Sequence, residues 1–299
     1  MKDTYVSVNG LRLHCVCEGA GELVLFLHGF PEFWYAWRRQ LAEFGGDRLA
    51  VAIDLPGYNL SDKPAEVARY RASALLEDIR ACAAHFSGGR PFVLVGHDWG
   101  GALAWAFALA HPEALSRLVI VNAPHPAIFA RLLAQDREQQ AASQYMLTFR
   151  APGAEALLAR DGYQALASII LAPLMRAGVF NEADRAAYLE AWARPGALTG
   201  GLNYYRASRL APPDLRHPGA APPVDAPAPP TEALTVRVPT LVIWGEQDTA
   251  LLVRNLEGLE RFVPELTVRR IANGSHWVVH EQPELVSAAI REFLGSSAR

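Results

Sequence analysis

The sequence predicts an α/β protein: a mostly parallel central sheet flanked by helices and interrupted by an inserted helical cap. Three observations predict it. Short, continuous apolar runs recur at 23–27, 49–53, 92–95, 118–121 and 240–244, as expected of strands buried on both faces. Helical stretches around 34–44 and 70–86 separate the first runs, and such alternation calls for parallel strands joined by crossovers. From about 124 to 210 the strand rhythm stops. Residues 211–230 then carry eight prolines, a density that excludes helix and central strand and marks an extended connector.

Element by element, residues 4–8 and 11–17 alternate around Asn9-Gly10, a hairpin signal. The run at 23–27 ends at His28-Gly29-Phe30-Pro31, that at 49–53 at Asp54, and that at 92–95 at Gly96-His97-Asp98. Residues 99–110 are apolar nearly all round (Trp99, Leu103, Trp105, Phe107), the pattern of a buried helix. The strand at 118–121 ends at Asn122, that at 240–244 runs into Asp248, and a last strand at 266–271 precedes His276. A helix over 283–294 closes the pattern. The expected division is a core of 1–123 and 236–299 with a cap of 124–235, returning through 211–230.

The bulk numbers exclude several classes. The 299 residues are 51% apolar and 20% charged, with a net charge of −3, ordinary soluble globular composition. No basic run points to nucleic acid or a polybasic membrane contact. No stretch approaches the ~18 apolar residues of a membrane span, and Met1 to Val6 holds no signal-like run. Cys15, Cys17 and Cys82 make an odd count without paired spacing, so neither a disulfide framework nor a metal site is expected. The expected location is the cytoplasm. Monomer and homodimer both stay open.

In an open α/β sheet, ligands bind at the carboxyl ends of the strands. Gly96-His97-Asp98-Trp99-Gly100 reads Gly-x-nucleophile-x-Gly between a buried strand and a buried helix, the context of a nucleophile elbow. The helix N-terminus favours a carboxylate there. Asp98, Asp248 and His276 follow in the order nucleophile, acid, histidine. Gly29 permits close backbone approach, so the Phe30 and Trp99 N–H groups are the expected oxyanion-hole donors. Asp54, Asp62 and His28 are read as loop-ordering residues. His97, His111, His125 and His280 show no partner pattern.

Several stretches together resemble the α/β-hydrolase epoxide hydrolases. They are His28-Gly-Phe-Pro-Glu-Phe-Trp-Tyr-Ala-Trp37, Asp54-Leu-Pro-Gly-Tyr-Asn-Leu-Ser-Asp-Lys-Pro64, Gly96-His-Asp-Trp-Gly-Gly101, Trp244-Gly-Glu-Gln-Asp248 and Gly274-Ser-His-Trp277. The resemblance runs from about residue 4 to 294; haloalkane and fluoroacetate dehalogenases are close relatives of that family. It implies that Asp98 attacks a saturated carbon and forms an alkyl ester, which water activated by His276 then hydrolyses. An epoxide oxygen leaves as a strong base and needs a proton donor. The family supplies it from two cap tyrosines, which match Tyr145 in Gln144-Tyr-Met-Leu-Thr-Phe149 and Tyr205 in Leu202-Asn-Tyr-Tyr-Arg206.

The implied substrate is a small apolar epoxide, with Phe30, Trp99, Met146, Phe149 and Trp277 as expected substrate contacts and no cofactor or metal. Leu171, Met175 and Phe180 add apolar surface to the cap. A dehalogenase with the same nucleophile is the alternative. Many haloalkane dehalogenases carry Asn where Phe30 stands, and fluoroacetate dehalogenases carry Arg where Trp99 stands, with a His-Trp pair near Tyr145-Met146. Trp99 alone can still donate to a halide. A remote alternative is a non-catalytic binding protein on the same fold.

Overall fold

A computed structural model describes residues 1–217 and 231–295. The part of the proline-rich connector at 218–230 lies outside the described residues. An eight-stranded sheet runs in the order β1-β2-β4-β3-β5-β6-β7-β8. Its strands are β1 (Lys2–Val8), β2 (Leu11–Glu18), β3 (Leu23–Leu27), β4 (Leu49–Ile53), β5 (Phe92–His97), β6 (Leu115–Val121), β7 (Thr240–Gly245) and β8 (Leu266–Ile271). The hairpin β1–β2 and the β2–β4 pair are antiparallel. From β4 to β8 all pairs are parallel.

The central strands are apolar for a packing reason. Every residue of β3 is buried, because helices cover both faces. One face packs Leu25, Leu27, Leu94, Leu118 and Ile120 against α2 (Ala72–Ser87) and α3 (Trp99–Ala110). The other packs Val24, Phe26, Val95 and Val119 against Trp37 and Phe44 of the α1 side (Arg38–Phe44), with Val286 and Ile290 of the closing helix Pro283–Gly295. Alternate residues of one strand thus enter two separate cores.

Between β6 and β7 the described residues form helices and no strand: α4 (Pro126–Gln135), α5 (Arg137–Ala142), α6 (Tyr145–Arg150), α7 (Ala154–Ile169), α8 (Leu171–Arg176), α9 (Glu182–Ala193) and α10 (Ala197–Ala207). They pack on the strand ends through named contacts. The Tyr204 hydroxyl donates to the Pro56 carbonyl oxygen at 2.9 Å, and the Trp192 indole N–H donates to the Pro31 carbonyl oxygen at 2.7 Å. No helix among the described residues is long and apolar enough to cross a membrane.

The loop after β4 is the platform for those contacts, and Asp54 organises it. Its buried carboxylate accepts from the Trp34 N–H (2.8 Å), the Asn59 side-chain amide (2.8 Å) and His14 Nδ1 (2.7 Å). Asp62 accepts the Arg12 N–H at 2.7 Å. His28, also buried, accepts the Leu55 N–H on Nε2 and donates Nδ1–H to the Gly29 carbonyl oxygen. Removing one partner from a fully buried hydrogen-bonded pair strands the other groups. Asp54→Ala is therefore expected to destabilise the fold by about 3–5 kcal/mol, read from the shift of the urea midpoint at unchanged slope. A loss under about 1 kcal/mol would rule out that organising role.

Candidate active site

β5 ends in a sharp turn into α3, and Asp98 is the residue at the turn. Its backbone has φ 51° and ψ −121°, a conformation that costs a side-chain-bearing residue on the order of 1–3 kcal/mol. The turn closes because two glycines flank it: a Cβ on Gly96 would lie 2.4 Å from the Gly100 carbonyl oxygen. Gly29 serves a different approach. A Cβ there would lie 2.3 Å from Asp98 Cβ, so only glycine lets the loop after β3 reach the carboxylate.

That approach delivers a hydrogen bond. The Phe30 N–H donates to Asp98 Oδ1 at 2.8 Å. Oδ2 is left facing His276, whose Nε2 is 3.6 Å away, beyond hydrogen-bonding distance. Among the described residues, the Trp99 N–H makes no hydrogen bond to this carboxylate. An oxyanion hole is aimed at the oxygen of a tetrahedral intermediate rather than at the resting group. Trp99 is the first residue of α3, directly after Asp98.

His276 is held from both sides. Its Nδ1–H donates to Asp248 Oδ2 at 2.7 Å. Asp248 is fixed in turn: Oδ1 accepts the Ala250 and Leu251 N–H groups at 2.8 Å each, and Oδ2 accepts the Asn122 amide at 2.8 Å. Burial favours the neutral imidazole, but the Asp248 carboxylate, helped by Asp98, outweighs it and raises the His276 pKa well above its ordinary value. The Asp248 pKa is lowered: burial opposes its ionisation, but the imidazolium and the donated hydrogen bonds prevail. At rest the ring thus faces two carboxylates that favour its protonated form.

A buried network behind the triad was not legible as a motif. His97, one residue before Asp98, donates Nε2–H to the His276 carbonyl oxygen at 2.8 Å, and its Nδ1 lies 3.1 Å from Glu32 Oε2. Glu32 Oε1 accepts from His280 Nε2 (2.5 Å) and from the Tyr188 hydroxyl (2.9 Å). The sequence showed no partner pattern for His97 or His280; the structure joins them through Glu32. The nearest sequence signal was Glu32 itself, in the stretch after Phe30-Pro31. Burial penalises the Glu32 carboxylate, but His280 and His97 overcome this and hold its pKa well below the usual range. His125 and His111 lie elsewhere: His125 caps α4 and stacks on Phe262, and His111 lies 3.3 Å from Glu77.

Beside Asp98 lies a cavity that is partly open to solvent. Tyr145 and Tyr205 both line it, with ring centroids 6.2 Å apart. Burial, reinforced by the Asp98 charge, raises both phenol pKa values. Both therefore stay protonated at neutral pH, as hydrogen-bond donors must. The remaining walls are apolar apart from Ser208: Trp99, Met146, Phe129, Leu210 and Leu251, with Pro124, Pro126 and Ala102. Of the expected substrate contacts, Trp99 and Met146 line this cavity. Phe30 and Phe149 pack behind the tyrosines, both within 5.5 Å of the Tyr205 ring. Trp277 packs on the His276 ring and donates its indole N–H to the Ile169 carbonyl oxygen.

An elbow aspartate, an acid–histidine pair on the next strand ends and a roofed apolar cavity define a class before any comparison. Residues 22–283 match the sequence profile of the alpha/beta hydrolase fold family. Among similar proteins, "Epoxide hydrolase 2" of Caenorhabditis elegans is 32% identical over 98% of this chain and 80% of its own length. "AB hydrolase superfamily protein YfhM" of Bacillus subtilis is 37% identical over 98% of both. A crystal structure of Bacillus megaterium epoxide hydrolase with an inhibitor superposes with a TM-score of 0.89 at 36% identity, covering 98% of this chain and 100% of that one. The chain belongs to the α/β-hydrolase fold family, as a hydrolase of its epoxide-hydrolase branch.

Proposed function

We propose that the protein converts a small apolar epoxide to a vicinal diol through an alkyl ester on Asp98. One observation carries this reading: Tyr145, Tyr205 and the elbow aspartate Asp98 line the same apolar cavity. With Oδ1 held by the Phe30 N–H, Oδ2 is the attacking oxygen. It displaces the ring oxygen at carbon; one of Tyr145 and Tyr205 gives its proton to the departing alkoxide while the other hydrogen-bonds it, and the phenolate left behind is reprotonated when His276 gives up its proton. Ester formation removes the Asp98 charge from beside His276. The imidazolium loses one of its two partners, its pKa falls, and the neutral ring becomes the base that activates water. Water gives a proton to His276 as it attacks the ester carbonyl carbon, and the Phe30 and Trp99 N–H groups stabilise the resulting oxyanion; its collapse breaks the bond to the substrate oxygen, which takes the proton back from His276, so the diol leaves and the Asp98 carboxylate is restored.

Residues 124–235 act as a cap that supplies the tyrosines, over a core of 1–123 and 236–299. The substrate partner is a small neutral molecule. Dehalogenation with the same nucleophile is the competing chemistry, since the Trp99 indole lines the pocket. A parallel assay separates them. Styrene-oxide-type epoxides are expected to give diol, and haloalkanes and fluoroacetate to release no comparable halide. Halide release without diol formation would transfer the proposal to the dehalogenases.

A further inference from the structure

The walls of the substrate cavity come from residues 98–102, 124–129, 145–146, 205–210 and 251. The loops that carry Phe30 and His276 contribute none. On that side the space is filled: Phe30, Phe149 and Trp277 are 6, 6 and 7% exposed. The Phe30 ring meets Tyr205 edge-on at 5.5 Å and leans on Phe149 at 5.1 Å. Phe30 also lines a second space, about the size of a single water, whose walls include Glu32, Phe33, Tyr58, Trp192 and Leu198. One aromatic ring thus touches Tyr205 of the substrate cavity and bounds a second space that the substrate cavity does not reach.

We propose that the Phe30 side chain is a partition that restricts the site to epoxides substituted on one carbon only. This rests on the epoxide reading above. The single substituent extends along Met146, Phe129 and Leu251, which line the substrate cavity together with Asp98. A substituent on the second ring carbon points at the partition. One methyl group without room lowers kcat/KM by about 10- to 200-fold. Truncating the ring vacates its own volume beside Tyr205 and gives that group a place. The Phe30 N–H, a backbone donor, is kept by any substitution other than proline.

The test compares kcat/KM for styrene oxide and trans-1-phenylpropylene oxide in the full-length protein. The ratio cancels any loss common to both substrates. The wild-type ratio is expected to favour the terminal epoxide by about 100-fold, and Phe30→Ala to reduce it by at least about tenfold. Phe30→Leu, a smaller truncation, keeps the test open if the alanine variant does not fold; an intermediate ratio is expected. A wild-type ratio near unity would overturn the proposal. So would an unchanged ratio in a folded Phe30→Ala or Phe30→Leu variant. Absence of diol from both substrates in the wild type would instead overturn the underlying epoxide reading.

Discussion

His276→Gln is expected to leave ring opening running and to stop the turnover that follows. Asp98 attacks with its own carboxylate oxygen, and no proton passes through His276 in that step. Hydrolysis of the ester does need the imidazole, because water must lose a proton as it attacks. Removing the general base is expected to slow this step by about 10²–10⁴-fold. The enzyme then accumulates as the alkyl ester, and mass spectrometry finds the substrate's mass on the peptide that carries Asp98. The wild-type pH profile follows the same logic. The base works only when neutral, so ester hydrolysis slows as pH falls through the His276 pKa of the esterified enzyme. That pKa lies below the resting one, which two carboxylates raise. Unmodified protein after incubation of the variant with a substrate it binds would remove the covalent mechanism.

The second large effect belongs to the tyrosines. Tyr145→Phe or Tyr205→Phe removes one of two donors to an alkoxide in a cavity walled by apolar groups. Loss of one preorganised donor typically costs about 2.7–4 kcal/mol, or 10²–10³-fold in rate. Removing both leaves the developing charge without support, and single-turnover alkylation is expected to fall by more than either single loss. The second phenol shares the load, so the two effects are not additive. Both variants should fold, because these hydroxyl groups line the cavity rather than knit the core. Full epoxide activity in the double variant would show that the leaving oxygen takes its hydrogen bonds elsewhere.

What was legible in the sequence was local. Apolar runs ending in polar residues set out the strands from β3 to β7. The Gly-x-Asp-x-Gly turn, Asp248 and His276 lie within a few residues of strand ends, so the motif and the topology together bring them to one edge. The rest depends on packing between distant positions. Asn122 supports Asp248 across 126 residues, and Glu32 meets His280 across 248; neither pairing has a spacing to read. The cavity walls behave the same way. Pro124, Phe129, Leu210 and Leu251 were not expected there, while Phe149 and Trp277, expected as walls, pack behind it. Apolar residues on helices above a site are interchangeable in sequence until the helices are docked.

The most direct test of the central claim is a single turnover in water enriched in oxygen-18, with enzyme in excess over epoxide. If Asp98 forms the ester, the oxygen added to the first diol comes from the carboxylate. That diol is therefore unlabelled, and the peptide carrying Asp98 gains one heavy oxygen when water attacks its carbonyl carbon. A first diol that carries the label, with the Asp98 peptide unchanged, would mean that water opens the ring directly and would contradict the account.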